Sequence, residues 1–306
     1  MKFAVPVFLI NGFLESGKTS FINNAILSDP EVQKTRTLVI LCEEGEIELK
    51  EQKNLFVYKV DGKDFLTDSL LSNLRKQYNP DRVIIEFNCM WGMDALYDLR
   101  LPKDWRYAEQ LTLIDADTFD GYYNNMRNIF FELFQSSATV VFNRCEREKT
   151  NFAQLRTRVK TVNPDAEIMY SDEKGLIDLT FEDELPYSLS DEVIELDDDS
   201  FTIWYIDAME NPERYKGKKI TFEGLVAKPK KFRKEWFAVG KHVMTCCEDD
   251  IAFLSYACRW EEGGESLRDY DKIRISAVVD HRFCPEYNGK GPVLYATDVT
   301  LLKRKG

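Results

Sequence analysis

No segment of this chain approaches the roughly 20 consecutive apolar residues that a membrane-spanning helix needs. A disulfide framework is missing as well. The seven cysteines are odd in number, lie scattered along 306 residues and include no C-x-x-C pair, which argues against a stapled secreted scaffold. The apolar start, Val5 to Ile10, is followed by Asn11-Gly12 and no small-residue cleavage site. It reads as a buried first strand, and a cytoplasmic protein with no membrane insertion is expected. Internal repeats are absent, and 44% hydrophobic with 31% charged residues excludes collagen-like and disordered classes. The length suggests two domains.

The net charge of −12 is uneven. Residues 201–306 carry 19 basic and 16 acidic side chains, and the rest carries 22 and 37. The acidic part would repel free nucleic acid, which is therefore not expected as a partner. Between Pro186 and Ser200 there is no basic residue at all, only Asp191, Glu192, Glu195 and Asp197 to Asp199 among the charges. That stretch reads as a solvated acidic linker between a domain over 1–185 and another over 201–306.

The first domain alternates short apolar runs with amphipathic stretches. Strands are expected at 5–10, 37–42, 55–60, 82–87, 110–115, 139–143 and 167–171, with helices at 18–27, 66–77, 118–135 and 150–163. The alternation marks an α/β fold, and the continuous apolar character of the strands marks a mainly parallel sheet buried on both faces. The second domain begins with an expected helix over 206–215. Five strand-like runs follow, at 219–227, 236–245, 251–258, 272–280 and 293–302, with turn residues between them. Five strands in so short a span suggest a small, OB-like β-barrel.

Gly12-Phe13-Leu14-Glu15-Ser16-Gly17-Lys18-Thr19 fits GxxxxGK[ST], between an expected strand and an expected helix. Glycines at both ends turn backbone N–H groups toward a β-phosphate, and the following helix N-terminus adds positive potential. Gly12, Glu15, Ser16, Gly17, Lys18, Thr19 and Ser20 are thus expected to hold a nucleotide. Lys18 would steady the β/γ-phosphates and Thr19 would hold Mg²⁺. Arg82 to Glu86 is an apolar strand ending in an acid, as in a Walker B segment, so Glu86 is the second expected Mg²⁺ residue. Glu43, just beyond the second strand in Cys42-Glu43-Glu44-Gly45-Glu46, would sense the γ-phosphate. Lys18, Thr19, Glu43 and Glu86 form the candidate catalytic set. Asn143-Arg144-Cys145-Glu146 looks like an altered NKxD guanine motif, which nominates Asn143 and Glu146 for base selection and leaves ATP open beside GTP. No residue that activates the attacking water can be named, so slow turnover without a partner is expected.

In the second domain His242, Cys246 and Cys247 form a candidate Zn²⁺ group, with Cys258, His281 and Cys284 on other strands; buried, metal-free cysteines are the competing reading. The stretch Lys228 to Trp236 interleaves basic and aromatic residues. It fits a single-strand binding surface or, more plainly, a solvated hairpin loop.

These residues resemble the CobW-like family of P-loop GTPases. The phosphate loop is joined by Cys42 to Glu46, similar to the family's NEFGE segment, Glu86 to Cys89 in place of ExxG, Leu113-Ile114-Asp115-Ala116, Asn143 to Glu146 and Asn163 to Ala166. The resemblance implies a GTPase switch in metal delivery or metallocofactor assembly; a metalloprotein client is the expected partner, with a homodimer left open. The family's C-x-C-C would fall near Val60 to Asp64, where this chain has no cysteine. Residues 219–302, through Trp236 to Lys241 and Val243 to Asp250, resemble the C-terminal domain of YcgQ-like proteins, a group associated with predicted permeases. A permease is therefore another expected partner. The alternative function is a nucleotide-gated binding module whose barrel binds metal, single-stranded nucleic acid or a permease.

Overall fold

In the computed structural model, residues 4–179, 185–244, 251–285 and 289–303 are described. The chain divides into two compact units, one of residues 1–150 and 162–178, the other of 151–161 and 179–306.

The first unit is built on β1 (Val5–Asn11), β2 (Thr37–Leu41), β3 (Leu55–Lys59), β4 (Arg82–Glu86), β5 (Trp105–Asp115), β6 (Thr139–Asn143), β7 (Glu167–Asp172) and β8 (Gly175–Leu176). They form one sheet in the order β3-β2-β4-β1-β5-β6-β7-β8. Every pairing is parallel except β7 with β8. Successive strand residues feed opposite faces. Val83 and Ile85 enter one core with Val7, Leu9, Leu38 and Ile40, while Ile84 enters the other with Ile10, Val39, Leu113 and Val141. This two-sided burial is why the strands are apolar throughout rather than alternating.

Local chemistry shifts several boundaries. β5 begins at Trp105, five residues before the expected start, and the fully buried Trp105 pairs with Val5. The single helix expected over 118–135 is two, Phe119–Asn125 and Arg127–Ser136, because Met126 leaves the helical region at φ −134°, ψ 40°. The helix after the phosphate loop runs only from Lys18 to Phe21 and continues as a π-turn over Ile22–Ile26.

The second unit holds β9 (Val193–Leu196), β10 (Lys219–Ala227), β11 (Trp236–Met244), β12 (Ile251–Arg259), β13 (Lys272–Cys284) and β14 (Gly289–Lys303). β10 pairs with β11, β11 with β12, β12 with β14, β14 with β13 and β13 with β10, so five strands close a ring; only β12–β14 is parallel. The five expected strands are present, the last two longer than expected. β9 pairs in parallel with the first half of β10. Residues 193–200 thus differ from the linker reading: Ile194 and Leu196 are buried, and Asp197 caps the helix Asp198–Glu210 through a reciprocal bond with Ser200. The acid run is a capped helix start, with Asp198 and Asp199 in the first turn where the helix dipole favours negative charge. The helix begins at 198, not 206, and ends before Pro212, which opens the short helix Pro212–Tyr215. Phe201 and Trp204 from the long helix enter the barrel core against Phe222 and Tyr256.

Candidate nucleotide site

The site forms at the carboxyl ends of the central strands. Ile10 of β1 is in register with Glu86 of β4, and Leu41 of β2 is in register with the same residue. Glu86 is therefore carried to the start of the phosphate loop by strand pairing alone. β1 leads into Gly12 at φ +139°, and the loop reaches Gly17 at φ +90°. A Cβ on Gly17 would stand 2.5 Å from Asn143 Nδ2, so both backbone sign and space require glycine there. Between them Glu15 adopts φ +63° without being glycine, a left-handed turn that side chains adopt rarely.

Lys18 is 3% exposed. Its ammonium donates to Gly12 O at 2.9 Å and Phe13 O at 2.7 Å, and it ion-pairs with the Glu43 carboxylate. Thr19 Oγ1 donates to Glu86 Oε1 at 2.8 Å, and Glu86 Oε2 is buried with no hydrogen-bond partner. Burial raises the Glu86 pKa, the Thr19 bond and nearby Lys18 oppose the rise, and Glu43 adds to it. A hydroxyl and a buried carboxylate with an unused oxygen suit a hard, oxygen-seeking dication. The residues present fit Mg²⁺ on that observation.

A cavity of about 170 Å³ opens over these groups, lined by Lys18, Thr19, Ser20, Glu43, Glu86 and Arg144 among others. Asn143, at the end of β6, donates from Nδ2 to Ser16 O at 2.6 Å and so clamps the phosphate loop from below; its Oδ1, like Ser16 Oγ and both polar atoms of Asn11, is buried and unpartnered. Arg144 ion-pairs with Asp115 at the end of β5 and donates to Glu15 O at 3.2 Å. Glu146 is placed differently from the guanine-reading expectation. It is exposed, ion-pairs with Lys149 at 2.6 Å and lines neither this cavity nor the smaller one beside Phe13 and Tyr122.

Sequence reasoning missed Asn23. Its side chain is 5% exposed and bonds both Glu48 O and Lys50 N. The sequence signal was a pair of asparagines, Asn23 and Asn24, between apolar residues of the expected helix. Asp115 was legible only as part of the family likeness.

Cys246 and Cys247 of the candidate Zn²⁺ group lie outside the described residues. His242 is exposed on β11 with its ring 5.0 Å from Phe253, and Cys258 and Cys284 are buried thiols. Among the described residues no group of three His, Cys, Asp or Glu is placed to hold a metal, and no helix is long and apolar enough to cross a membrane.

A strand, phosphate loop and helix with an acid at the end of the neighbouring parallel strand define a P-loop nucleotide-binding domain. The family model of the CobW/HypB/UreG nucleotide-binding domain matches residues 6–170, and that of the DUF1980 C-terminal domain matches 177–305. The chain belongs to the CobW/HypB/UreG family. No curated protein matches it. Solved structures similar to it include the hydrogenase maturation factor HypB from Archaeoglobus fulgidus, at 15% identity and TM-score 0.38, covering 56% of this chain and 82% of that one. A Zn(II)-bound triple mutant of the YjiA GTPase is similar at 16% identity and TM-score 0.42, covering 86% and 92%. The mitochondrial single-stranded DNA binding protein Rim1 from S. cerevisiae is similar at 14% identity and TM-score 0.21, covering 29% and 97%.

Proposed function

We propose that the protein is a Mg²⁺-dependent GTP-binding switch that hydrolyses GTP slowly and serves metal homeostasis or metallocofactor assembly. The observation that carries the nucleotide reading is the buried Thr19–Glu86 hydrogen bond with Glu86 Oε2 left over, directly beside Lys18. Mg²⁺ bound there would neutralise phosphate charge and polarise the γ-phosphoryl group. Lys18 would exchange its loop carbonyl contacts for β-phosphate oxygens and its Glu43 contact for a γ-phosphate oxygen. Thr19 and Glu86 would present oxygen ligands, and Ser16 and Gly17, held by Asn143, would keep the loop curved.

Preference for GTP is supported by membership of the family alone, since Glu146 lies off the cavity and Asn143 holds the phosphate loop. The metal-related role is supported by the family resemblance; its partners on this reading are a metalloprotein client or a permease. The experiment is a competition titration of a fluorescent GTP analogue by GTP and ATP, with and without Mg²⁺, on the full chain and on Lys18→Ala. GTP-favoured, Mg²⁺-strengthened displacement that disappears in Lys18→Ala is the expected result. Equal displacement by ATP overturns the guanine preference, and unchanged affinity in Lys18→Ala overturns the site.

A further inference from the structure

The segment between β2 and β3 is tied at both of its ends to the chain that follows the phosphate loop. At its start Cys42 N donates to Glu86 O at 2.9 Å, and Glu43 pairs with Lys18; the two paired side chains are 8% and 2% exposed. At its far end Asn23 Nδ2 donates to Glu48 O at 3.0 Å, and Lys50 N donates to Asn23 Oδ1 at 2.9 Å. One side chain thus holds two backbone groups of the loop, and Lys50 Nζ reaches Asn24 Oδ1 at 3.3 Å beside it. Asn23 lies in the π-turn Ile22–Ile26, where Leu27 N bonds to Ile22 O five residues back. Such wide turns frequently interrupt helices at functional positions. Between the two ties Glu44, Gly45, Glu46 and Ile47 are exposed, and the last three line the cavity.

The chemistry of the two ties differs. Glu43–Lys18 is a charge pair whose ammonium already spends its other donors on Gly12 O and Phe13 O. An ammonium has three donors, so a phosphate oxygen gains this one only by displacing Glu43. A γ-phosphate also adds negative charge next to Glu43 and Glu86. The Asn23 tie is neutral, nearly buried and does not line the cavity, so phosphate charge leaves it in place.

We propose that Asn23 is the pivot of a five-residue latch, residues 43–47, whose Glu43–Lys18 pair sets the discrimination between nucleoside triphosphate and diphosphate. This rests on the nucleotide-binding reading above. A triphosphate opens the pair; a diphosphate leaves it closed. Because 48–50 stay clamped to the π-turn, the opening is confined to 43–47, which swings Ile47 and its acidic neighbours rather than releasing the whole loop. Asn23 also holds the closed latch in register, so its loss makes opening easier. It is a positioning residue that acts through Glu43.

The test uses the full chain and the variants Asn23→Ala, Glu43→Gln and their combination. Affinities for GDP and a non-hydrolysable GTP analogue are measured by fluorescence, and backbone hydrogen exchange is followed over residues 42–51. Each single variant is expected to raise the triphosphate-to-diphosphate affinity ratio several-fold, Glu43→Gln by removing the pair and Asn23→Ala by letting the closed pair slip out of register. The double variant is expected to match Glu43→Gln alone, because both act on one latch. An unchanged ratio in Asn23→Ala, or ratios that simply multiply in the double variant, overturns the proposal. Without nucleotide, Glu43→Gln is expected to speed exchange over 43–47 and leave the Lys50 amide protected; uniform acceleration over 43–50 overturns the pivot. That second readout needs no ligand, so absence of nucleotide binding to the unaltered protein defeats the nucleotide reading and still leaves the pivot judged.

Discussion

Thr19 Oγ1 donates to Glu86 Oε1 at 2.8 Å although 67 residues separate them in the chain. Parallel pairing of β1 with β4 brings them together, since the register sets Glu86 beside Ile10. The arrangement buries a carboxylate whose second oxygen has no partner, and such a group costs stability until a cation or donor meets it.

Glu86→Gln is therefore expected to melt higher than the unaltered protein at neutral pH without nucleotide, while losing the Mg²⁺ dependence of nucleotide binding. The sign follows from the raised pKa. A carboxyl group raised by burial favours folding below its ordinary value of 4.5, and that contribution is lost as pH rises through its folded value. The melting advantage of the variant should shrink as the solution is acidified toward that ordinary value. Thermal melts of both proteins over a pH series check this, and an advantage that grows on acidification would contradict it.

Gly17→Ala is expected to destabilise the first unit by about 2 kcal/mol or more, because φ +90° puts a Cβ in a disfavoured region and 2.5 Å from Asn143 Nδ2. The clash would push Asn143 off Ser16 O, so nucleotide affinity should fall with stability. Urea unfolding and a nucleotide titration on the same variant measure the two losses.

Asp197→Ala removes the reciprocal cap at the start of the helix Asp198–Glu210 and is expected to cost about 0.5–2 kcal/mol. Hydrogen bonds from Ser200 hold the Asp197 carboxyl below its ordinary value of 3.8. Its contribution is thus present above that value and lost as pH falls through the lower, folded one. Chemical unfolding at neutral and strongly acid pH should show the variant's deficit only in the former.

Burial pushes the Cys42 thiol up to about 12 and the Cys89 and Cys145 thiols to about 11, and raises the fully buried Cys258 as well. A thiol that stays protonated is a poor nucleophile. These four are expected to resist alkylation in the native protein at mildly alkaline pH and to react once urea is added. Mass spectrometry after a timed alkylator pulse reads the difference site by site, and rapid native labelling of Cys42 or Cys89 would show that the nucleotide face opens in solution.

Glu146→Ala is expected to leave the preference between GTP and ATP unchanged, since the carboxylate lies on Lys149 outside the cavity. Asn143→Ala should weaken both nucleotides together by freeing the loop carbonyl of Ser16. A selective loss of GTP binding in Glu146→Ala would mean that this side chain turns inward when nucleotide binds.

Much of the first unit was legible because its signals are local. A strand buried on both faces must be apolar along its whole length, and a loop that wraps phosphate must place glycine, lysine and threonine at fixed spacing; Val5 to Thr19 states both in one stretch. The barrel strands were likewise visible from their spacing and turns. The acidic run before Ser200 misled, because charge alone does not distinguish a solvated tether from a helix start whose dipole favours acids; the Asp197–Ser200 bond distinguishes them. Other features depend on contacts between distant segments, which no local pattern encodes. Tertiary structure alone put Glu43 on Lys18, turned Glu146 toward Lys149 and bound Asn23 to Glu48 and Lys50. Sequence by itself determined the strand, loop and helix that carry the GxxxxGK[ST] spacing, since backbone geometry within eight positions suffices for that. Which carboxylate meets Thr19, which stands off on Lys149, and which asparagine holds the loop were decided by strand register and by a helical turn widened by one residue.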